Sequence, residues 1–337
     1  MLFRGLVLLC SIFSASFGLD EADDCRSYNN LWVCTSSSSN LVSVSFEDIN
    51  AVQTIDDVEL HLDNYGITDI SGESFIDTRN ATALYLSENK LCRITKRIFN
   101  NLEQLTYLDL KSNRINLIED EAFAKLTNLE TLLLDYNYLT KISPGVWKGL
   151  SGLRELYITN NTVSPRRNMF RGLRQLETLA LDSNEIDNLP IGSFNGLANL
   201  DLLYLSRNNI ADLHNDIFRG LDQLNELDLG KNLMQRVTPG SFRNMKSLES
   251  LWLNGNRITS LLQINTFDGL DKLSVLFIGN NEPLSIDFMI FRGLANASIE
   301  PGFLVEGKFV REFHDVRGTF QCVGGSYQEP YVCQRIH

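Results

Sequence analysis

The amino-acid sequence predicts a repeat solenoid, a domain in which the chain turns once about every 24 residues. A leucine marks the period, at intervals of 24, 24, 24, 24, 23, 24, 24, 24 and 25 residues. An aromatic residue follows each leucine in nearly constant register, and an asparagine follows all but the first, where Tyr65 replaces it. Such self-similarity is the signature of stacked repeats. The leucines are Leu60, Leu84, Leu108, Leu132, Leu156, Leu179, Leu203, Leu227, Leu251 and Leu276.

Each class of repeated residue has a role in such a coil. Leucines spaced by two, as in Leu108 and Leu110, point to the same side of a short strand, so one strand face is buried. The asparagine after the strand is expected to bond backbone groups of neighbouring turns. The aromatic residue closes the opposite side, and stability comes from stacking of neighbouring turns.

The pattern is clearest in one segment, Leu105-x-x-Leu108-x-Leu110-x-x-Asn113-x-Ile115-x-x-Ile118-x-x-x-x-Phe123. It resembles the 24-residue typical class of extracellular leucine-rich repeat proteins, such as Toll-type ectodomains, small leucine-rich proteoglycans and variable lymphocyte receptors. The resemblance covers residues 56–295. It implies an α/β-type leucine-rich repeat solenoid of about ten repeats, curved, with a parallel β-sheet on its concave face, that binds other molecules.

The first 18 residues predict a secretory signal peptide. Arg4 precedes a short apolar run that ends in small residues, and we place cleavage after Gly18. The run of about 13 residues is shorter than the ~20 that span a bilayer, which disfavours an uncleaved anchor. The predicted product is secreted and extracellular, without a membrane anchor.

Both ends of the repeat array are predicted to carry caps, residues 19–55 and 296–337, because a solenoid otherwise exposes its apolar core. Cysteines lie in both segments, and in a secreted chain they predict one disulfide in each cap. The predicted pairs are Cys25 with Cys34 and Cys322 with Cys333. The alternation Val42-x-Val44-x-Phe46 predicts an edge strand beside the first coil.

Cys92 remains as an odd cysteine if Cys10 is removed with the signal peptide. An unpaired thiol in an oxidising compartment is a candidate for an intermolecular disulfide with a partner. The alternative is a partly shielded thiol that packs between coils and has no function.

Three Asn-x-Ser/Thr sequons predict N-glycosylation, at Asn80, Asn160 and Asn296. Asn160 directly precedes the repeated Asn161. A glycan on Asn160 is therefore expected at the rim of the concave face, where it would limit what can dock.

The outward strand positions predict a binding surface that is both aromatic and acidic. Aromatic side chains are frequent anchors of protein interfaces. The outward positions also hold 13 acidic residues but only four basic ones. We therefore expect a basic protein or peptide ligand. The alternatives are a merely solubilising acidic surface and, for Phe277, contact with the C-terminal cap. The predicted ligand-binding residues are Tyr85, Asp109, Asp135, Glu155, Tyr157, Asp182, Tyr204, Asp228, Trp252 and Phe277.

The composition disfavours nucleic acid, cofactors and catalysis. A net charge of −12 argues against neutralising many phosphates. The four histidines form no His-x-x-x-His motif, no Cys-x-x-Cys is present, and no Ser-His-Asp grouping is apparent, so we expect neither metal nor cofactor. Asp109 and Asp135 are expected on an open, solvated sheet with ordinary pKa values. The sequence therefore predicts a non-enzymatic protein.

The favoured function is extracellular recognition through the concave face, with innate defence as the favoured setting. Two other classes remain open. One is a matrix adhesion protein, and the other is a non-catalytic carrier, stabilising or inhibitory subunit of a secreted enzyme.

Overall fold

A computed structural model describes residues 24–28, 31–46, 58–258 and 266–281, and the backbone of short strands between residues 298 and 335. The predicted signal peptide, Cys10 and the sequon at Asn296 lie outside the described residues. The chain divides into two compact units, residues 1–161 and 162–337.

The first unit is built from short strands. Two of the connections between strands contain a brief 3-10 helix, at Ile76–Thr78 and at Pro144–Trp147. Strands β4, β6, β8, β10 and β11 pair side by side in parallel, with their middle leucines in register. The described strands are β1 Asp24–Tyr28, β2 Leu31–Thr35, β3 Asn40–Phe46, β4 Glu59–His61, β5 Asp69–Ile70, β6 Ala83–Tyr85, β7 Arg93–Ile94, β8 Tyr107–Asp109, β9 Leu117–Ile118, β10 Thr131–Leu133 and β11 Glu155–Tyr157.

The N-terminal cap is an antiparallel sheet of β1, β2 and β3 that joins β5 of the first coil in parallel. The predicted disulfide between Cys25 and Cys34 is confirmed. The predicted edge strand is also present, but its alternation is broken. A bulge opposite Cys34 leaves Val42 out of the pairing, so Leu41 and Val44, three residues apart, are both fully buried.

The second unit continues the same pattern. Its strands β12 to β17 pair in parallel, with Ile299 in register with the leucines. Strand β17 lies within the segment predicted as the C-terminal cap and extends the sheet by one strand. The described strands are β12 Thr178–Ala180, β13 Leu202–Tyr204, β14 Glu226–Asp228, β15 Ser250–Trp252, β16 Val275–Phe277, β17 Ser298–Glu300, β18 Leu304–Val305, β19 Lys308–Phe309, β20 Glu312–Asp315, β21 Gly318–Val323 and β22 Val332–Arg335.

The last three strands form an antiparallel sheet in which Cys322 and Cys333 are directly opposite each other. This backbone register is the one that the predicted second cap disulfide requires. The two side chains lie outside the described part of the structure, so the bond itself stays a prediction.

The core of each coil is closed by the repeated aromatic residue, as the periodicity predicts. In the second unit, the ring centroids of Phe194 and Phe218 lie 6.2 Å apart, and those of Phe218 and Phe242 lie 6.4 Å apart. These rings are at most 1% exposed. Burial of each large apolar side chain contributes about 1.5 to 3 kcal/mol, so stacking supplies the stability that a single turn lacks.

The predicted asparagine ladder is confirmed. The Nδ2 group of Asn113 donates to the carbonyl of Leu86 in the preceding coil at 2.9 Å and to that of Leu110 at 3.2 Å. Its Oδ1 accepts the N–H of Leu91 at 3.0 Å. The same bonds recur along both units, so each amide satisfies buried backbone groups where the chain leaves the strand.

Cys92 corrects one prediction. It is half-buried between the buried Leu91 and Ile94 and is disulfide-bonded, to a partner outside the described residues. The described part of the chain holds no free cysteine. An unpaired thiol at Cys92 is therefore excluded. The intermolecular disulfide with a partner stays a prediction.

Candidate ligand-binding surface

The candidate site is the solvent-facing side of each parallel sheet, which we call the strand face. It consists of the first and third residues of each three-residue strand, since alternate side chains of a strand point to opposite sides. In β4, for example, Glu59 and His61 are exposed while Leu60 is fully buried. The two units each present such a face.

Three rings in contact, one stacked pair and one tilted pair, form a row on the strand face of the first unit. The rings of His61 and Tyr85 stack with centroids 4.4 Å apart, and the rings of Tyr85 and Tyr107 lie 5.1 Å apart. Two carboxylates flank the ring of His61, at the end of this row. Glu59 Oε2 lies 3.1 Å from His61 Nε2, and Asp63 Oδ2 lies 3.7 Å from His61 Nδ1. The row thus presents aromatic surface beside negative charge.

Tyr85 is a predicted site residue, whereas His61 and Tyr107 are additions from the structure. Tyr107 occupies the first position of β8, whereas all the predicted aromatic site residues occupy the third position of their strands. A pattern that weighs both outward positions of a strand equally would have found it.

The tyrosine hydroxyls lie in a negative environment. Burial raises the pKa of Tyr107 to about 12, with the nearby Asp109 as the next cause. Burial is also the main cause of the raised pKa of Tyr85, followed by the charge of Glu59. These phenols therefore stay protonated and neutral throughout the physiological range, as polar anchors beside carboxylates.

Tyr157 and Glu155 form a second group on the first unit. The Tyr157 hydroxyl donates to Glu155 Oε2 at 3.4 Å. Burial, and then the charge of Glu155, raises the pKa of Tyr157. Both are predicted site residues, and the structure brings them together at the two outward positions of β11.

Three carboxylates that follow a strand also connect successive coils: the predicted site residues Asp135 and Asp182, and Asp63, which the prediction did not include. Asp135 is only 7% exposed. In each case the aspartate Oδ1, two residues after a strand, accepts the backbone N–H of the equivalent residue one coil later. The distances are 2.8 Å for Asp135 and Asp182 and 3.2 Å for Asp63. The acceptor and donor residues are Asp63 with Ser87, Asp135 with Thr159, and Asp182 with Ser206.

Asp109 and Asp228 also accept backbone N–H groups, but from residues of their own coils. Asp109 Oδ1 accepts the N–H of Lys111 at 2.9 Å, and Asp228 Oδ1 accepts the N–H of Gly230 at 2.7 Å. To reach the turn these side chains fold onto the sheet, and Asp109 is only 6% exposed. Burial raises the pKa of both carboxyls. The expectation of ordinary values on an open, solvated sheet is therefore wrong for Asp109.

The second unit carries its own aromatic pair. The rings of Trp252 and Phe277 stack with centroids 5.2 Å apart at an angle of 8°. Asp228 is the strand neighbour of Trp252 on the other side, and Tyr204 is the next residue along the row. Pairing with β17 covers the edge of β16, while Phe277 itself stays half-exposed on the strand face.

The two sequons within the described residues lie at half-buried asparagines. Asn160 has a left-handed backbone, with φ of 52°, and its Nδ2 donates to Thr159 Oγ1 at 3.1 Å. Asn80 lies in the turn before β6. Glycosylation of these residues stays a prediction.

Sequence comparison identifies the class of protein. The leucine rich repeat model matches residues 58–115, 104–163, 164–210, 174–234 and 199–258, which together cover more than half of the chain. The chain therefore belongs to the leucine-rich repeat family. This fold implies a protein-binding role.

A solved structure extends the comparison. The crystal structure of a TLR13–ssRNA13 complex, containing a Toll-like receptor, is similar at 29% sequence identity with a TM-score of 0.67. The match covers 72% of this chain and 35% of the receptor chain, so this chain spans about a third of that receptor. A search of the curated proteins finds no match.

Within the described part of the chain, no helix has the length and apolarity that crossing a membrane requires. His, Cys, Asp and Glu side chains of the described residues nowhere gather into a group of three or more suited to a metal ion.

Proposed function

We propose that this protein is a secreted, non-catalytic binding protein that recognises a basic protein or peptide through its strand faces. The observation that carries this proposal is the stacking of outward-facing rings beside carboxylates, as in His61 with Tyr85 and Trp252 with Phe277. Core packing does not require aromatic residues at outward positions. Such residues commonly anchor protein interfaces.

The carboxylates divide into two groups by role. Asp63, Asp135 and Asp182 hold backbone turns with one oxygen, so their removal damages the fold as well as any binding. Glutamates at the first position of a strand, such as Glu155 and Glu226, lie at the surface and are half-buried. These glutamates are the better candidates for steering a cationic partner and increasing its association rate.

Extracellular recognition is the setting that we favour. The signal-like N-terminus and the disulfide of the N-terminal cap are compatible with secretion. The similarity to a Toll-like receptor supports recognition in innate defence over matrix adhesion or an enzyme-subunit role. That receptor was solved with single-stranded RNA, whereas the strand faces of this chain carry carboxylates such as Glu155 and Glu226, which oppose phosphates there.

Selection from a random peptide display library tests the proposal. We expect peptides enriched in arginine and lysine, whose binding falls at least about tenfold in Tyr107→Ala or Trp252→Ala, as for interface anchors. Tyr136→Ala is the matched control, because Tyr136 is 60% exposed but lies outside the strand face. Selection of neutral or acidic peptides, or equal binding by all three variants, would contradict the proposal.

A further inference from the structure

A basic patch interrupts this acidic chain in the second unit. Residues 164–174 contain four arginines and no acidic residue. All four arginines are exposed, and within the described part of the chain their side chains form neither ion pairs nor hydrogen bonds. The four are Arg166, Arg167, Arg171 and Arg174.

The backbone beneath these arginines is firmly held. Met169, Phe170 and Leu173 are at most 2% exposed, so they anchor the segment in the core while the arginines project outward. The N–H of Asn168 donates to the carbonyl of Gly192 in the next coil at 2.9 Å. The guanidinium groups therefore start from a preorganised scaffold, which lowers the cost of ordering on binding.

Two later coils carry an arginine in the register position of Arg171. Arg219 and Arg243 directly follow the stacked Phe218 and Phe242, and both are exposed, while Asn195 holds this position in the coil between Arg171 and Arg219. The arginine density is highest in residues 164–174, since the exposed Asp222 lies close to Arg219 in the chain. We call residues 164–174 together with Arg219 and Arg243 the arginine flank.

Two glycines leave the backbone of this flank open. Gly172 and Gly220 follow Arg171 and Arg219, with φ of +121° and +92°, and an added Cβ at either would meet no atom within 4 Å. At Gly149 of the first unit, by contrast, an added Cβ would meet the carbonyl oxygen of Ala124 at 2.5 Å. An extended ligand can therefore approach the main chain between the arginines.

We propose that the arginine flank binds a sulfated glycan chain. Planar guanidinium groups bind tetrahedral oxyanions through paired hydrogen bonds, and clusters of basic residues are typical of heparin-binding patches. At physiological salt, charges farther away than about 8 Å are largely screened, so the acidic strand face does not prevent this contact.

The aromatic residues of the flank distinguish a glycan from single-stranded nucleic acid. Proteins that bind single strands stack bases on exposed aromatic rings. Phe170 within the flank, and Phe218 and Phe242 next to Arg219 and Arg243, are at most 1% exposed and offer no stacking surface. Among the described residues of this unit, the half-exposed rings of Tyr204, Trp252 and Phe277 lie on the strand face, so this site is independent of the proposed protein-binding function.

Heparin serves as the probe. We compare the wild type with a fourfold variant, Arg166→Gln, Arg167→Gln, Arg171→Gln and Arg174→Gln, on immobilised heparin across a series of salt concentrations. We expect a loss of affinity of about tenfold or more, and a fall of roughly three to four in the salt slope if each arginine binds one anionic group. The matched control removes the same charge from exposed side chains of the first unit: Arg79→Gln, Arg97→Gln, Arg114→Gln and Lys141→Gln.

Several outcomes overturn this inference. It fails if the wild type does not bind heparin at physiological salt, or if the control loses as much affinity as the fourfold variant. It also fails if a single-stranded RNA of equal charge binds as tightly as heparin and is lost in the same variant. Should the fourfold variant not fold, as judged by circular dichroism, the double variant Arg171→Gln, Arg174→Gln replaces it. Trp252→Ala should retain heparin binding, so the two proposals fail separately.

Discussion

Asn208 illustrates how one side chain satisfies two turns of the backbone. Its Oδ1 accepts the N–H groups of Asn184 and Ile186 at 2.9 and 3.0 Å. Its Nδ2 donates to the carbonyls of Leu181 and Leu205, both at 3.0 Å. Because Asn208 is only 4% exposed, water cannot readily replace these bonds.

Asn208→Ala should therefore lower the free energy of unfolding by about 2 kcal/mol or more, since unsatisfied buried groups cost about 1 to 3 kcal/mol each. The adjacent Asn209→Ala is the control. The Asn209 side chain is exposed and makes one long hydrogen bond, of 3.5 Å, to the carbonyl of Glu185. Asn209→Ala should therefore lower the free energy of unfolding by no more than about 0.5 kcal/mol. Urea unfolding measures both, and equal effects would contradict the ladder.

Asp228 couples the fold to pH. Burial raises its pKa above the ordinary value of 3.8, so the folded state holds this proton more tightly than the unfolded state. The contribution of this carboxyl to stability is therefore present at low pH and is lost as the pH rises through the raised pKa. Asp228→Asn keeps an acceptor for the Gly230 N–H and removes the buried charge.

We expect Asp228→Asn to be more stable than the wild type at pH 7, with the difference shrinking as the pH falls toward 3.8. Asp228→Ala leaves the Gly230 N–H without its acceptor and should be less stable than Asp228→Asn at both ends of this range. Urea unfolding at each pH tests this. A constant difference between wild type and Asp228→Asn would show that burial of the charge is not its cause.

The turn after each repeated aromatic residue sets how closely neighbouring coils approach. Gly149 follows Trp147 with φ of +94°, and Gly172 follows Phe170 with φ of +121°. Both conformations favour glycine. The positions differ in their surroundings, because a Cβ at Gly149 would strike the backbone of Ala124 at 2.5 Å while one at Gly172 would meet nothing within 4 Å.

Gly149→Ala should therefore destabilise the protein more than Gly172→Ala. Gly172→Ala carries the conformational cost alone, about 1 to 2 kcal/mol, and Gly149→Ala adds a backbone clash of about 1 to 3 kcal/mol. Thermal unfolding of the two variants measures the difference. Equal effects would mean that the coils separate freely at Ala124.

Periodicity is a strong predictor of these elements and a weak predictor of local exceptions. The 24-residue repeat places every middle leucine and ladder asparagine correctly, because one physical requirement recurs in each turn. It does not reveal the bulge that turns both Leu41 and Val44 inward, since a single extra residue reverses the alternation of a strand. Nor does it indicate the disulfide of Cys92, because cysteine pairing depends on contacts that spacing does not encode.

The candidate site is predictable in position but less so in role. Tyr157, Trp252 and Phe277 lie at outward strand positions, as the register requires. The structural task of Asp135 and Asp182 stays hidden in the sequence, because an aspartate that accepts a backbone N–H and one that faces a ligand look the same. Their hydrogen-bond partners lie 24 residues away and become neighbours only when the coils stack.

Within a whole unit, acidic and basic side chains are concentrated on different surfaces. In the second unit, carboxylates such as Glu226 and Asp228 lie on the strand face beside Trp252, while arginines such as Arg171, which form no ion pair with any described residue, occupy the arginine flank. Two partners of opposite charge could then bind the same unit without competing. Long-range charge governs the rate of encounter, and anchoring rings govern the lifetime of a complex.

Glu226→Lys tests the effect of long-range charge on the rate of encounter. Glu226 is half-buried at the first position of β14, so reversing its charge should slow association of a library-selected basic peptide and weaken its salt dependence. Dissociation should change little. Lys246→Glu is the control for charge reversal away from the strand face, since Lys246 is exposed in a turn outside the strands. Equal slowing by Lys246→Glu would contradict steering, because that change makes the chain more acidic.

Surface plasmon resonance of the same peptide on Trp252→Ala decides whether the strand face is the binding site. We expect dissociation to speed up by about 30-fold, the equivalent of the roughly 2 kcal/mol that an aromatic anchor contributes, with nearly unchanged association. The fourfold variant of the arginine flank should bind the peptide like the wild type. Wild-type kinetics in Trp252→Ala, together with loss of peptide binding in the arginine variant, would contradict the account and place the site on the flank.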